Sequence, residues 1–174
     1  VVKTAVFWDI ENIPPTKKNH VLENVETWLT KMGDVVYKSV AVNCYTIKKD
    51  QLVKVYDSGY KIECIPKYEK DATDKIIIRE IRERVILDED IQLYVLITQD
   101  SDFKNVIKEL MKNGKFVVLL HINNRMNKEF LELPHAAYNL KSKCRIKSIE
   151  KVLLKKNKKI IDIGKYKRGE MNVV

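Results

Sequence analysis

The stretch Ile97-Thr98-Gln99-Asp100-Ser101-Asp102-Phe103 joins two segments with different hydrophobic periodicity. Residues 91–97 end in this stretch and form an apolar, β-branched run, which predicts a buried strand. Apolar side chains recur at helical spacing through residues 106–111 after it, which predicts an amphipathic helix. Asp100 and Asp102 therefore lie where a strand gives way to a helix. In an α/β sheet this is the carboxyl edge, where ligands bind.

The two carboxylates on either side of Ser101 admit two interpretations. Oxygen ligands at this spacing suit a hard divalent cation. Alternatively, Asp100 or Ser101 caps the following helix and Asp102 interacts favourably with the helix dipole. For this stretch alone capping is the commoner case, so the choice between the two depends on the rest of the chain.

Apolar runs and helical periodicities alternate along the first 140 residues. Strands that alternate with helices indicate a parallel sheet with right-handed crossover connections. We therefore expect an α/β fold, with three α/β/α layers and a mainly parallel central sheet of about five strands. The predicted strands are 1–8, 35–42, 60–65, 91–97 and 116–120, and the predicted helices are 16–32, 48–58, 74–87, 102–113 and 127–133.

The net charge of +9 is unevenly distributed along the sequence. Residues 1–140 hold 21 basic and 21 acidic side chains, whereas residues 141–168 hold 12 basic and 2 acidic ones. We therefore expect one domain at 1–140 and a basic extension at 141–174, partly helical or flexible, with a helix at 146–154 and a short strand at 160–163. Such an extension attracts polyanions. The alternative is that it only keeps the protein soluble.

Composition narrows the class of protein. The chain of 174 residues is 45% hydrophobic, enough for one domain with a core. No apolar run approaches the roughly 18 residues of a membrane span, and we see no secretory signal. Cys44, Cys64 and Cys144 lack metal-ligand spacing and are expected to be free thiols in a reducing compartment, cytoplasmic or nuclear. Because the sequence begins with Val1, we expect either a segment of a longer protein, whose flanks could hold targeting domains, or a processed N-terminus. No oligomeric state is predicted.

Acidic residues from three distant segments are expected to meet at one edge of the sheet. If the first and fourth predicted strands are neighbours, Asp9 lies next to Asp100, and Asp74 opens on the same edge. Asp102 makes a fourth carboxylate, and Asn12 can turn its amide towards the cluster. Carboxylates at such short range raise one another's pKa unless a counter-ion is present. A bound Mg²⁺ or Mn²⁺ would relieve the repulsion and could activate water for phosphodiester cleavage.

Other residues near these acids carry less specific expectations. An acidic cleft needs positive charge elsewhere to capture nucleic acid, and Lys75, Lys104, Arg125 and the basic extension can supply it. Asp74 and the preceding Thr73 are also equally good candidates for a helix N-cap.

Several common catalytic motifs are absent from the sequence. Only five glycines occur and none belongs to a Gly-rich phosphate loop. Ser101 lacks the G-x-S-x-G elbow of nucleophilic serines. The stretch Asp9-Ile10-Glu11-Asn12-Ile13 does not match the D-x-D-x-T pattern of haloacid-dehalogenase-like phosphatases, and Glu11 is expected to point to solvent. The three histidines share no spacing and are interpreted as ordinary surface or core residues.

Three motifs, taken in order, resemble the NYN domain family, a branch of the PIN-like nucleases. They are Val6-Phe7-Trp8-Asp9-Ile10-Glu11-Asn12, Lys70-Asp71-Ala72-Thr73-Asp74 and Thr98-Gln99-Asp100-Ser101-Asp102-Phe103. The resemblance covers about residues 3 to 140 and implies a metal-dependent endoribonuclease that acts on single-stranded or structured RNA. The family's acidic site maps onto Asp9, Asp74, Asp100 and Asp102, with Asn12 beside Asp9.

Two hypotheses follow from these residues. In the first, the four aspartates bind Mg²⁺ or Mn²⁺, directly or through water, and Asn12 and Thr98 or Ser101 orient water or phosphate during RNA cleavage. In the second, the chain is a catalytically silent RNA-binding or scaffold domain that has kept the fold. Intact acidic residues argue for the first hypothesis.

Overall fold

The structure is a computed structural model that describes residues 1–16, 20–66, 69, 71–123 and 125–141. The described part of the chain alternates strands and helices as predicted. The strands are β1 Lys3–Asp9, β2 Asp34–Asn43, β3 Lys61–Ile65, β4 Leu93–Ile97, β5 Phe116–His121 and β6 Ala136–Asn139. The helices are α1 Val21–Leu29, α2 Lys49–Asp57, α3 Ala72–Leu87, α4 Lys104–Lys112 and α5 Lys128–Glu132, and a 3₁₀ turn at Ser101–Phe103 leads into α4.

All the strands run parallel in one sheet of order β3-β2-β1-β4-β5-β6. β1 and β4 occupy the centre, which explains why β4 is buried throughout and β1 carries an apolar run from Ala5 to Trp8. The prediction of about five strands missed β6, which pairs with β5 through Val118 and Ala136. This edge strand is only four residues long and half-buried, so it carries neither the alternation nor the apolar run by which strands are recognised.

Two hydrophobic cores lie on opposite faces of the sheet, which confirms the three-layer arrangement. Successive side chains of a strand point to opposite faces, and β1 shows this directly. Val6 and Trp8 pack into the core beneath α1 and α2, whereas Ala5 and Phe7 pack into the core beneath α3, α4 and α5. Because the sheet is covered on both faces, only its edges and its two ends remain open for a functional site.

The cysteine prediction is wrong for the two cysteines that the structure describes. Cys44 follows β2, Cys64 lies in β3, and their sulfurs form a disulfide with the Cα atoms 5.5 Å apart. Parallel pairing places Val42 opposite Cys64, so the two cysteines approach although 20 residues separate them. Spacing along the chain does not reveal that proximity. The intracellular location was inferred from free thiols, so it loses that support and stays a prediction.

The C-terminal expectations concern residues that the structure does not describe. Cys144, the helix at 146–154, the strand at 160–163 and almost all of the basic extension lie outside the described residues. Within the described part, no helix is both long enough and apolar enough to cross a bilayer.

Among the three described glycines, Gly33, in the turn between α1 and β2, is the one where a side chain is least tolerated. Its φ is +88°, and a Cβ atom there would lie 2.4 Å from the backbone oxygen of Val2. We expect Gly33→Ala to lower the free energy of unfolding by about 2–4 kcal/mol, from left-handed strain plus the clash. Gly59→Ala is the matched control. Its φ is +81°, but a Cβ atom added at Gly59 would meet no described atom within 4 Å apart from its own chain neighbours. Urea unfolding of both variants should show the smaller loss, about 1–2 kcal/mol, for Gly59→Ala; equal losses would contradict the clash.

Candidate active site at the carboxyl edge of the sheet

The order of the strands creates a crevice between the carboxyl ends of β1 and β4. The two strands are neighbours, as predicted, with Trp8 opposite Ile97. The chain leaves β1 towards the helices on one face and leaves β4 towards the helices on the other. Loops that diverge in this way open a cleft at the switch point, where open α/β sheets bind their ligands. Asp9 ends β1, and Asp100 lies three residues beyond β4, so both acids lie at this cleft.

Asp9 is the buried centre of the cluster, with only 3% of its surface exposed. Its Oδ2 accepts a hydrogen bond of 2.9 Å from the Thr98 hydroxyl, and its Oδ1 accepts one of 3.2 Å from the Asn12 backbone N–H. Burial raises the pKa of Asp9 to about 6, although both hydrogen bonds favour the ionised form. Asp9 is therefore a carboxylate in a fixed orientation whose charge is only partly compensated.

Three of the predicted aspartates line one open pocket of about 310 Å³. Asp9 enters from β1, Asp74 from the first turn of α3, and Asp100 from the loop after β4. The described residues that line the pocket are Asp9, Glu11, Asn12, Glu69, Asp71, Thr73, Asp74 and Asp100. The predicted meeting of acids from three distant segments is therefore present in the structure.

Asp74 carries the clearest electrostatic sign of this crowding. The side chain is 8% exposed, and its pKa is raised from 3.8 to about 7, first by burial and then by the charges of Asp9 and Asp100. The capping alternative does not hold here, because Asp71 occupies the N-cap position of α3 and the Thr73 hydroxyl donates to a Glu11 oxygen. Asp74 thus faces the pocket as an acid in the first turn of the helix.

Asp100 both caps a turn and lines the acidic pocket, so the capping interpretation holds and its metal-binding role stays a prediction. Its Oδ1 accepts a hydrogen bond of 2.9 Å from the Asp102 backbone N–H and thereby caps the 3₁₀ turn. The same carboxylate lines the acidic pocket. Asp102 and Ser101 follow it in the chain at the rim; both are exposed, and neither is among the described residues that line the pocket. Thr98 is 1% exposed, and its oxygen accepts from the Asp100 backbone N–H at 3.1 Å while its hydroxyl donates to Asp9. Thr98 therefore connects the two acids and has no open face towards a substrate.

Glu11 is a pocket residue that the sequence reasoning missed. It is exposed, as expected, but it is also bonded at both oxygens: its Oε1 accepts from the Asn43 backbone N–H at 3.3 Å and its Oε2 accepts from the Thr73 hydroxyl at 3.1 Å. These contacts span 32 and 62 residues of sequence, so no local pattern could have indicated them. Glu11 links the loop after β1 to the end of β2 and the start of α3, and it supplies a further carboxylate to the pocket.

The basic residues predicted to assist binding lie outside the pocket. Lys75 and Arg125 are exposed and Lys104 is half-buried at the start of α4. None of them is among the described residues that line the pocket. These side chains therefore do not form part of the pocket wall.

The donor set suits a hard divalent cation, although it does not close around one. Among the described residues, no three acidic, imidazole or thiol groups are gathered tightly enough to hold a metal ion. Mg²⁺, however, usually keeps several waters and takes only one or two protein carboxylates. The Oδ1 atom of Asn12, in the same pocket, is buried and accepts no hydrogen bond from the described part of the chain. An unsatisfied amide oxygen beside uncompensated carboxylates fits a hydrated Mg²⁺ or Mn²⁺.

Removing the Asp74 charge is expected to stabilise the metal-free protein. A carboxyl whose pKa is higher in the folded chain stabilises the fold below pH 3.8, and this contribution is lost as the pH rises through about 7. Asp74→Asn keeps the shape without the charge. In EDTA it should raise the free energy of unfolding at pH 8 by about 1–2 kcal/mol, since water in the open pocket screens part of the repulsion.

Urea unfolding at pH 4 and pH 8 tests this expectation. Asp57→Asn is the matched control, because Asp57 is exposed at the end of α2 and belongs to the opposite edge of the sheet. The gain from Asp74→Asn should shrink towards pH 4. A gain as large in Asp57→Asn, or one that does not depend on pH, would contradict the electrostatic crowding.

The chain is similar to known proteins in its sequence motifs and in its fold. The family model described as "NYN domain" matches residues 3–150. A crystal structure of a protein of unknown function from Vibrio parahaemolyticus superimposes with a TM-score of 0.62 at 14% sequence identity, covering 79% of this chain and 92% of that one. Since the identity is low, this likeness concerns the fold alone. No curated protein matches the sequence.

Proposed function

The chain belongs to the NYN domain family, a family of PIN-like nuclease domains, and on that premise we propose that it is a divalent-metal-dependent endoribonuclease. The proposed reaction is hydrolysis of RNA phosphodiester bonds at the acidic pocket. The observation that carries this proposal is the presence of Asp9, Asp74 and Asp100, from three segments, in one pocket where the pKa values of Asp9 and Asp74 are raised. Such crowding disfavours the empty, fully ionised pocket and favours the binding of a cation.

The proposed metal is Mg²⁺ or Mn²⁺, held by Asp9, Asp74 and Asp100 directly or through water, with Asp102 contributing from the rim. When bound, such a metal activates water and stabilises charge at the phosphorus. Asp9 is the most strongly positioned ligand, since two hydrogen bonds fix its orientation. We assign Thr98 to positioning only, because its hydroxyl is engaged by Asp9 and Asp100 and is closed to solvent.

Asn12 and Ser101 are the polar side chains that we propose for orienting water or phosphate. The Asn12 amide oxygen is in the pocket and accepts no bond from the described residues. Ser101 is exposed at the rim, beside Asp100. Both can therefore contact a group bound over the carboxylates without breaking an existing interaction.

RNA must be drawn to this acidic pocket by positive charge around it. We propose that Lys75, Lys104 and Arg125 contact phosphates away from the scissile bond, together with the basic extension at 141–174. The proposed division into a catalytic domain at 1–140 and an extension follows the change in charge, whereas the family match continues to residue 150.

Cleavage of a labelled single-stranded RNA with Mg²⁺ or Mn²⁺, with and without EDTA, tests the proposal. We expect cleavage that EDTA abolishes and excess metal restores. Asp100→Asn should be slower by about tenfold or more, because it weakens one ligand while leaving its neighbours in place. Equal cleavage by the wild type and Asp100→Asn would indicate a contaminating nuclease and contradict the proposal.

A catalytically silent RNA-binding domain is the second candidate. The open arrangement of the carboxylates, with no metal shell closed among the described residues, is the observation that favours it. Under this alternative the protein binds RNA with a steep salt dependence, and no divalent metal produces cleavage.

A further inference from the structure

A second pocket, of about 300 Å³, adjoins the acidic pocket, and Glu11 is common to the walls of both. Its apolar walls include Ile10 and Pro14 from the loop after β1 and Ile47 from the loop before α2. Polar side chains enter it from Asn43, at the end of β2, and from Gln51, in the first turn of α2. The lining thus combines apolar and polar side chains, and the volume is at the lower end of the range found for small-ligand sites.

The polar groups of this pocket differ in whether they already form hydrogen bonds within the protein. Asn43 holds the loop, since its Oδ1 accepts from the Tyr45 backbone N–H at 2.9 Å and its own N–H donates to Glu11. The Gln51 side-chain amide makes no hydrogen bond within the described part of the chain, although its backbone N–H is bonded to Lys48. Gln51 therefore offers a donor and an acceptor, side by side, to a ligand in the pocket.

The surroundings of the pocket indicate the chemical class of that ligand. Tyr45, in the loop between Asn43 and the pocket residues of α2, has 61% of its surface exposed. Lys48 and Lys49 are exposed at the start of α2. An exposed aromatic ring can stack on a base, and lysines beside it can contact the phosphates that flank that base.

We infer that this second pocket binds one nucleobase of a single-stranded RNA, next to the phosphate held at the acidic pocket; this inference rests on the proposed function. The flat face of a base would pack against Ile10, Pro14 and Ile47, which line the pocket, and a side-chain amide would pair with the adjacent donor and acceptor on the base edge. A paired base in a duplex cannot enter, because its edge is occupied and it is stacked on both sides. Gln51 is thus a specificity-determining residue, whereas the aspartates act on the backbone, which all sequences share.

The test couples one side chain to one base and does not need cleavage. A labelled single-stranded RNA is compared with variants that each lack one base, with binding to the whole chain measured in Ca²⁺, which takes oxygen ligands as Mg²⁺ does. For the wild type, removal of one particular base should weaken binding by between about fivefold and a hundredfold. Gln51→Ala should weaken binding of the intact RNA by about threefold to tenfold and should not weaken binding of the RNA that lacks that base. Alanine is the best helix former, so α2 is expected to persist.

Gln92→Ala is the matched control, because Gln92 is exposed beside the start of β4, at the opposite edge of the sheet. It should bind every RNA as the wild type does. Equal weakening of intact and base-lacking RNA by Gln51→Ala, no weakening at all, or no binding of RNA by the wild type would each overturn the inference. Metal-dependent cleavage without this coupling would overturn the inference alone, and coupling without any cleavage would overturn the nuclease proposal alone.

Discussion

Asp9→Asn is expected to reduce metal-dependent cleavage of RNA by at least about a hundredfold, more than Asp100→Asn does. Asp9 is the most buried of the acids that line the pocket and is fixed by hydrogen bonds from Thr98 and Asn12. Asparagine keeps the volume but removes the charge. One of its side-chain atoms becomes an N–H₂ group, and in the native orientation this group would face either the Thr98 hydroxyl or the Asn12 N–H, both of which donate. The variant therefore loses both the ligand and its orientation.

Initial rates of RNA cleavage, measured over a range of Mg²⁺ or Mn²⁺ concentrations, test this prediction. Asp57→Asn, the same chemical change at the opposite edge of the sheet, should cleave at the wild-type rate. Circular dichroism should show that Asp9→Asn is folded, because the buried carboxylate has a raised pKa and its charge does not help to hold the fold at neutral pH. Asp9→Asn with a rate within a fewfold of the wild type would contradict its role as a ligand.

Trp8→Ala is expected to lower the free energy of unfolding by about 3–5 kcal/mol, the largest effect on stability that we predict. Trp8 is fully buried in the core beneath α1 and α2 and meets the Tyr60 ring edge-on, with centroids 5.6 Å apart. Its indole N–H donates to the Ile13 carbonyl at 2.9 Å. The side chain therefore packs the core and also holds the loop that carries Glu11 and Asn12 into the acidic pocket.

Trp8→Phe separates these two contributions. It keeps most of the packing but leaves the Ile13 carbonyl without its donor, and the missing hydrogen bond alone is expected to account for about 1–2 kcal/mol. Trp28→Phe is the matched control, since Trp28 is also buried and packs on Tyr138, but its indole makes no hydrogen bond with the described residues. Urea unfolding followed by circular dichroism avoids the loss of a fluorophore. Equal losses in the two phenylalanine variants would contradict the role of the hydrogen bond.

Much of the fold and part of the site can be predicted from local sequence. Strand β1 is apolar at Val6, Phe7 and Trp8, which indicates burial on both faces and therefore a central position in a parallel sheet. The position of Asp9 and Asp100 at strand ends places both at the carboxyl edge whatever the order of the strands. Hydrophobic periodicity and the residues that end strands and helices are local properties of the sequence, so one sequence is enough to reveal them.

Several features depended on contacts between distant segments. Glu11 lines the acidic pocket because it meets Asn43 and Thr73, and the Cys44–Cys64 disulfide exists because β2 and β3 are neighbours. The second pocket forms only where the loop after β1 faces the start of α2. None of these contacts produces a periodic pattern in the sequence from which it could be predicted.

By itself, then, the sequence determined the class of fold, the edge of the sheet that carries the acids, and the family to which the motifs point. Only the tertiary structure decided which acids share a pocket, which of them are buried enough for the pKa to rise, and which polar side chains lie beside them. The physical reason is that hydrophobic periodicity reports which face of an element is buried, whereas pKa shifts, disulfides and pockets depend on distances between elements, and those distances are set by the order in which the strands pair.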